Sequence, residues 1–398
     1  MFTPTSPLPV IAAILLALAT VKLLSWRFGG ANEEGRFVTI DGLRGYLAFF
    51  VFIHHSCVWY FYLKTSEWQN PPSNFFIHFG QSSVTLFFMI TGFLFSTKII
   101  EDRRKGIDWV KLYVSRILRL APLYLFTMVL LFMMVAVISA FTLNESPVAL
   151  AAGALKWLGF TIFGAPDLNG VDGTAGIVAG VTWSLCYEWM FYLCLPLLSV
   201  AFGVIPPIPA LLIALIGVWG FATMPGSLVH VMAFVSGAVS ALLVRQPAFT
   251  RIAARRSSSV VVIVALAIAI TFFPTAYSRF PFILLSVSFA LVAGGATLFG
   301  ALSSTLSRTL GEMAYSLYLL HGFVLFTFFN FIIGRRHASL LSPSGYWLLI
   351  LAVTPVLVVI CFATFRLIEK PSMQYTARVT GWFRQLMLTR RGGVEESL

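Results

Sequence analysis

Eleven stretches of this chain, each 16 to 23 residues long, are almost wholly apolar. They lie near 8–25, 43–63, 82–100, 118–140, 183–203, 208–223, 228–244, 258–274, 281–300, 313–333 and 345–366. A helix crosses the hydrocarbon core with about 20 such residues. Inside lipid, only a helix or a closed barrel satisfies every backbone polar group. The repetition therefore predicts an all-α, polytopic integral membrane helical bundle with about 11 transmembrane helices. Composition agrees: 11% of residues are charged and mean hydropathy is +0.89, against about 25% charged in a soluble domain.

A twelfth segment, 149–164, is short and carries Lys156 near its middle. Charge decides its place. With it outside the count, 22 of the 27 lysines and arginines fall on one face, leaving Lys64, Lys156, Arg279, Arg335 and Arg336 on the other. Basic residues are retained on the cytoplasmic side. The split thus predicts an outer N-terminus, a cytoplasmic C-terminus, and an interfacial or re-entrant 149–164 on the outer side. It also accounts for the net charge of +12 without nucleic acid. Cys57, Cys186, Cys194 and Cys361 lie within predicted spans, with no spacing that suggests a metal site or a disulfide framework.

Ionisable groups inside a membrane are costly and mark function by default. DGLRGYLAFFVFIHH, 41–55, carries Arg44 at one end and the pair His54–His55 at the other. Arg116 and Arg119 stand three apart, on one helical face. They are either snorkelling cations or a clamp for phosphate, to which a guanidinium binds in two places at once. Glu188 is the acidic residue well inside a predicted span, expected a turn or two below the outer surface with the histidines as candidate partners. His321 also falls near mid-membrane, with a structural and a catalytic reading equally open. Arginines at the cytoplasmic mouth and a histidine deeper in suit an enzyme drawing an anionic donor from the cytoplasm. A proton-coupled secondary transporter or permease is the alternative, although a dense arginine cluster repels cations.

Six stretches resemble the membrane-bound acyltransferase-3 family. They are DGLRGYLAFFVFIHH (41–55), SVTLFFMITGFLFS (83–96), RILRLAPLY (116–124), TWSLCYEWMFYLCLPLL (182–198), LGEMAYSLYLLHG (310–322) and FRLIEKPSM (365–373). The resemblance implies an added N-terminal helix and loop at 1–35, an acyltransferase membrane domain at 36–373 and a basic cytoplasmic tail at 374–398. It further implies an O-acyltransferase of the bacterial inner membrane. Such an enzyme moves acetyl from acetyl-CoA, or another acyl from its CoA ester, onto a hydroxyl of a sugar, a cell-surface or lipid-linked glycan or a small molecule. The family's arginine and histidine, ten residues intervening, correspond to Arg44 and His55. Its arginine-x-x-arginine corresponds to Arg116 and Arg119, and its carboxylate to Glu188. On this correspondence His55 and Glu188 are catalytic, Arg44, Arg116 and Arg119 hold the donor, and no metal takes part. Ser83-Val84-Thr85 replaces the family's usual glycine-valine-aspartate, and Thr91 its serine. These departures bear on the acceptor more than on the reaction.

Overall fold

The computed structural model describes residues 3–31 and 37–395, with side chains through 386. The expected boundary at 35/36 lies outside them. The described chain forms helices α1 (Leu8–Phe28), α2 (Val38–Thr65), α3 (Asn74–Asp102), α4 (Trp109–Ile138), α5 (Pro147–Leu158), α6 (Trp183–Ala201), α7 (Ile208–Thr223) and α8 (Ser227–Leu243). Then follow α9 (Pro247–Ala253), α10 (Arg256–Phe272), α11 (Arg279–Ala293), α12 (Thr305–Glu312), α13 (Ala314–Thr327), α14 (Arg335–Ser339), α15 (Pro343–Thr364), α16 (Lys370–Gln374) and α17 (Thr376–Glu395). No strand occurs among the described residues. A helical bundle is what the apolar runs required.

A helix stands at each of the eleven predicted places. Seven of the described helical segments are long and apolar enough to cross a membrane, or eight if α8 and α9, bent by 107°, form one span. The helices at 208–223, 256–272 and 279–293 have 15 to 17 residues, the short end of the spanning range. The doubtful segment becomes α5, 12 residues long and too short to cross. Its buried residues are Gly153 and Trp157, one turn apart. Trp157 donates from Nε1 to the Pro166 carbonyl at 2.8 Å, and its own carbonyl accepts from the Tyr124 hydroxyl at 2.5 Å.

Local chemistry sets the ends. Ser146, Ser304 and Ser342 cap α5, α12 and α15 through hydroxyl oxygens that accept first-turn amides at 3.2 Å. Pro147 and Pro343 fill the first helical position, where no amide is needed. Inside the bundle, small residues allow close approach, as they do between helices in lipid. A Cβ on Gly92 of α3 would sit 2.1 Å from the Phe234 carbonyl oxygen of α8, and one on Gly237 of α8 would sit 2.0 Å from that of Met89.

The loop from 142 to 182 does not stay at the surface. Leu168, Ile177, Val178, Ala179 and Val181 are buried, and Gly322 of α13 packs directly on the Val178–Ala179 backbone. Asn169 ties its outer part together, donating to the Ser139 hydroxyl at 2.9 Å and the Thr142 carbonyl at 2.7 Å. The loop leads straight into α6, whose second residue, Ser184, is buried and hydrogen-bonds with the Tyr318 hydroxyl of α13 at 2.6 Å.

Candidate active site

α2 carries the frame of the site. Arg44 and His55 are eleven residues apart, which at about 3.6 residues per turn is three turns and brings both to one face, about 16 Å apart along the axis. Arg44 opens into a cavity of about 110 Å³ lined also by Arg116 and Arg119 from α4, Glu188 and Tyr192 from α6, and Tyr315 and Tyr318 from α13. The three arginines and the glutamate singled out in the sequence therefore share one chamber. Arg44 Nη1 lies 3.9 Å from Asp41 Oδ1, and the Arg116 guanidinium lies 5.1 Å from the centre of the Phe95 ring.

Glu188 is not where its distance from the start of the predicted span puts it. It accepts a hydrogen bond from the Tyr192 hydroxyl, one turn on, and shares the arginine chamber. Five residues into α6, Glu188 already faces the arginines of α2 and α4. A second carboxylate was missed altogether. α15 continues through a π turn, Phe365–Glu369, into α16, and this carries Glu369 into the interior, 3% exposed. It accepts from the Ser316 hydroxyl, which in turn accepts from Thr364 Oγ1 at 3.0 Å. Arg44 and Arg119 lie within its electrostatic reach.

The histidines form a separate group farther along α2. His54 Nδ1 lies 2.8 Å from the Phe76 carbonyl oxygen, and Gly80 leaves the room its imidazole occupies. His55 instead meets His321, with 3.0 Å between His55 Nδ1 and His321 Nε2. This partner was unassigned in the sequence, because 266 residues separate the two and no local pattern links them.

The network fixes the tautomers of the neutral pair. His321 Nδ1 is 2.9 Å from the Leu317 carbonyl, and a carbonyl only accepts, so that nitrogen carries the proton and Nε2 offers a lone pair. His55 Nδ1 is then the donor, shared between His321 Nε2 and the Val51 carbonyl at 3.1 Å. The lone pair of His55 is left on Nε2. An imidazole held this way is arranged to accept a proton from a third group.

Beyond His55 lies an aromatic cluster. The Trp68 ring stacks on His55 with centroids 6.2 Å apart and 23° between planes, and Trp59 stands edge-on to Trp68 at 5.7 Å. A cavity of about 540 Å³ begins there, walled by Trp59, Tyr62, Trp68 and Phe326. Tyr318 stands between the two chambers: it lines the arginine cavity, and its ring centre lies 6.3 Å from that of His321.

No curated protein and no solved structure matches this chain. The sequence pattern of the acyltransferase-3 family, described as an acyltransferase domain, matches residues 37–366. That stretch takes in both ends of α2, the paired arginines, Glu188 and His321, and on it the chain belongs to the acyltransferase-3 family of membrane-embedded acyltransferases.

Proposed function

We infer that this acyltransferase moves acetyl from cytoplasmic acetyl-CoA to a hydroxyl of a sugar, a cell-surface glycan or a small molecule, in the bacterial inner membrane. The single observation that carries the reading is the division of one helix face of α2 between an arginine chamber and a histidine with a lone pair on Nε2. Arg44, Arg116 and Arg119 supply forked, permanently charged donors suited to the phosphates of CoA. The pantetheine arm follows the face of α13 from Ala314 to Tyr318, which lines the chamber, and carries the thioester toward His55.

His55 Nε2 takes the proton of the acceptor hydroxyl as its oxygen attacks the thioester carbonyl. The tetrahedral intermediate expels the CoA sulfur, which takes that proton from His55. An ester and free CoA result, and His55 is restored. The His321 lone pair holds the His55 Nδ1–H and steadies the positive charge that the ring carries in between. Glu188, beside the arginines, keeps the chamber's charge partly balanced until the phosphates arrive.

Purified protein in nanodiscs, given acetyl-CoA labelled in the acetyl group and an acceptor extract from the envelope of its host, tests the reading. Label appearing in an ester with release of free CoA supports it. Uptake of an unmodified solute into proteoliposomes without acetyl transfer overturns it in favour of a transporter.

A further inference from the structure

The last helix, α17, lies outside both chambers, and its sequence opens TARVTGWFRQL. At about 100° per residue its side chains divide among three faces. Thr376, Val379 and Thr380 turn toward the bundle, with Thr380 buried, and the Arg384–Asp108 pair ties the helix to the start of α4. Trp382 and Leu386, one turn apart, form a second stripe about 120° from that face, extended by Tyr375 just ahead of the helix. All three are exposed, Trp382 by 56%. Ala377, Gly381 and Gln385 make the third face, which is small and polar. An exposed line of indole, phenol and leucine is out of place in water. It fits the headgroup level of a bilayer, where amphipathic rings collect.

Charge is a second, independent observation. Arg103, Arg104 and Lys105 occupy the turn between α3 and α4, and with Arg378 of α17 they are exposed. None of the four forms an ion pair among the described residues. The nearby acids are engaged elsewhere: Asp102 with Lys98 at 3.0 Å, Glu101 with Arg245 at 3.6 Å, and Asp108 with Arg384. The level of this basic face is marked as well. Trp109 and Tyr113 stack at the start of α4, with centroids 6.4 Å apart and 29° between planes, and such rings sit where a spanning helix meets the headgroups.

We propose that α17 is an interfacial anchor for anionic lipid. Trp382 and Leu386 enter the boundary between headgroups and acyl chains beside α4, while Arg378 and the Arg103–Lys105 turn take the lipid phosphates. A zwitterionic surface would match the apolar stripe and leave these cations without counter-charge. A soluble acidic protein would match the cations, but its contact with the stripe would have to form among the headgroups. An anionic bilayer surface matches both at once, and it is already present where α4 enters the membrane.

Nitroxide labels on the full chain in nanodiscs test it. Cys57, Cys186 and Cys361 are buried, so Cys194→Ala leaves a background that labels little. One label goes on the stripe at Leu386→Cys. The other goes at Gly381→Cys, where an added Cβ meets nothing within 4 Å. In nanodiscs containing phosphatidylglycerol, the label at 386 should collide with oxygen at headgroup–acyl depth and the label at 381 with an aqueous nickel chelate. In pure phosphatidylcholine the label at 386 should shift toward nickel. The same shift is expected in phosphatidylglycerol when Arg103, Arg104, Lys105 and Arg378 are all changed to Gln, each lost charge lowering the lipid-seated population about fivefold. The lipid change needs no substitution at the basic residues, so misfolding of the fourfold variant does not decide the outcome. Nickel access at 386 in phosphatidylglycerol overturns the proposal, as does shielding from both reagents by a second copy or another protein. Oxygen access that ignores lipid charge overturns it equally.

Discussion

The two ends of α2 meet the same problem, a polar task inside an apolar bundle, with opposite chemistry. Around Arg44 the solution is charge: three guanidiniums, with Glu188 lining the same chamber and Glu369 behind it. Around His55 and Trp59 it is aromatic surface and a hydrogen-bonded histidine pair, with Asp172 and Arg335 as the charged residues on the cavity wall. The difference matches what each end would hold. Hydrogen bonds with an ionised partner are roughly twice as strong as neutral ones, which suits a phosphorylated donor that must be retained. Ring stacking is broad and forgiving, which suits an acceptor that must arrive and leave from the other side. Between them stand Tyr318 and His321, so on the acyl-transfer reading the thioester arm would have to pass that point to reach His55.

The hardest test of this division is at His55. His55→Ala should lower turnover by about 10²–10⁴-fold while acyl-CoA binding, measured by protection from thermal unfolding, stays as it was. His54→Ala should keep appreciable turnover, because its ring is committed to the Phe76 carbonyl and adjacent helical residues point about 100° apart. Loss of CoA binding in the His55 variant would mean that the ends are not separate.

The complementary experiment is at the arginines. Arg116→Ala and Arg119→Ala should each raise the KM for acyl-CoA by about 10- to 100-fold, the cost of a lost charged hydrogen bond, with kcat largely retained. Lysine at either position should restore only part, since a point charge lacks the guanidinium fork. An unchanged KM in both alanine variants would return these residues to the role of interfacial cations.

Much of this arrangement was legible in the sequence, and the misses have physical causes. Apolar length marked every helix that crosses or nearly crosses the bundle, because lipid enforces that pattern. It understated α3 and α4, whose opening two turns carry His78 and Gln81 in one and Lys111 and Arg116 in the other and so drop out of an apolar window. Glu369 escaped for the same reason: the predicted last span ended at 366, whereas the helix runs on through a π turn. Three-residue spacing put Arg116 and Arg119 on one face without any coordinates. The surroundings of Glu188, the Tyr192 hydroxyl and the arginines of α2 and α4, come from how α6 packs, which an apolar window does not record. The His55–His321 contact, between helices far apart in the chain, is a purely tertiary fact.

That contact yields a third, smaller effect. His321→Ala removes the acceptor for the His55 Nδ1 proton, so both tautomers of His55 become populated and kcat should fall about tenfold, the scale of one lost hydrogen bond to a ring that becomes charged. His321→Gln, whose side-chain oxygen can replace the Nε2 lone pair, should recover part of it. Nitrogen-15 spectra of labelled histidine report the tautomer directly. A His55 resonance that remains Nδ1-protonated in His321→Ala would show that the Val51 carbonyl alone suffices.

The smallest expected effect lies outside both ends and tests whether the arginine chamber depends on the helix packed beside it. Asp108 caps α4, accepting from the Lys111 amide at 3.1 Å, and pairs with Arg384 of α17. Burial alone would push its carboxyl up. The Lys111 amide and the Arg384 guanidinium together outweigh that and hold it below its ordinary value. A carboxyl lowered by folding stabilises above its unfolded pKa, and the gain is lost as pH falls through the lower folded value. Asp108→Ala should therefore cost about 1 kcal/mol, a typical cap, and Asp108→Asn, which keeps a cap oxygen but not the charge, less. The exposed ion pair itself is worth little. Thermal unfolding of wild type and Asp108→Asn should differ slightly at pH 7 and converge as the pH drops below about 4, the ordinary aspartate range. Curves that stay apart in acid would rule out the carboxylate charge as the source. A donor KM raised in Asp108→Ala as far as in Arg116→Ala would show that α17, through this one pair, holds the arginines of α4 in register.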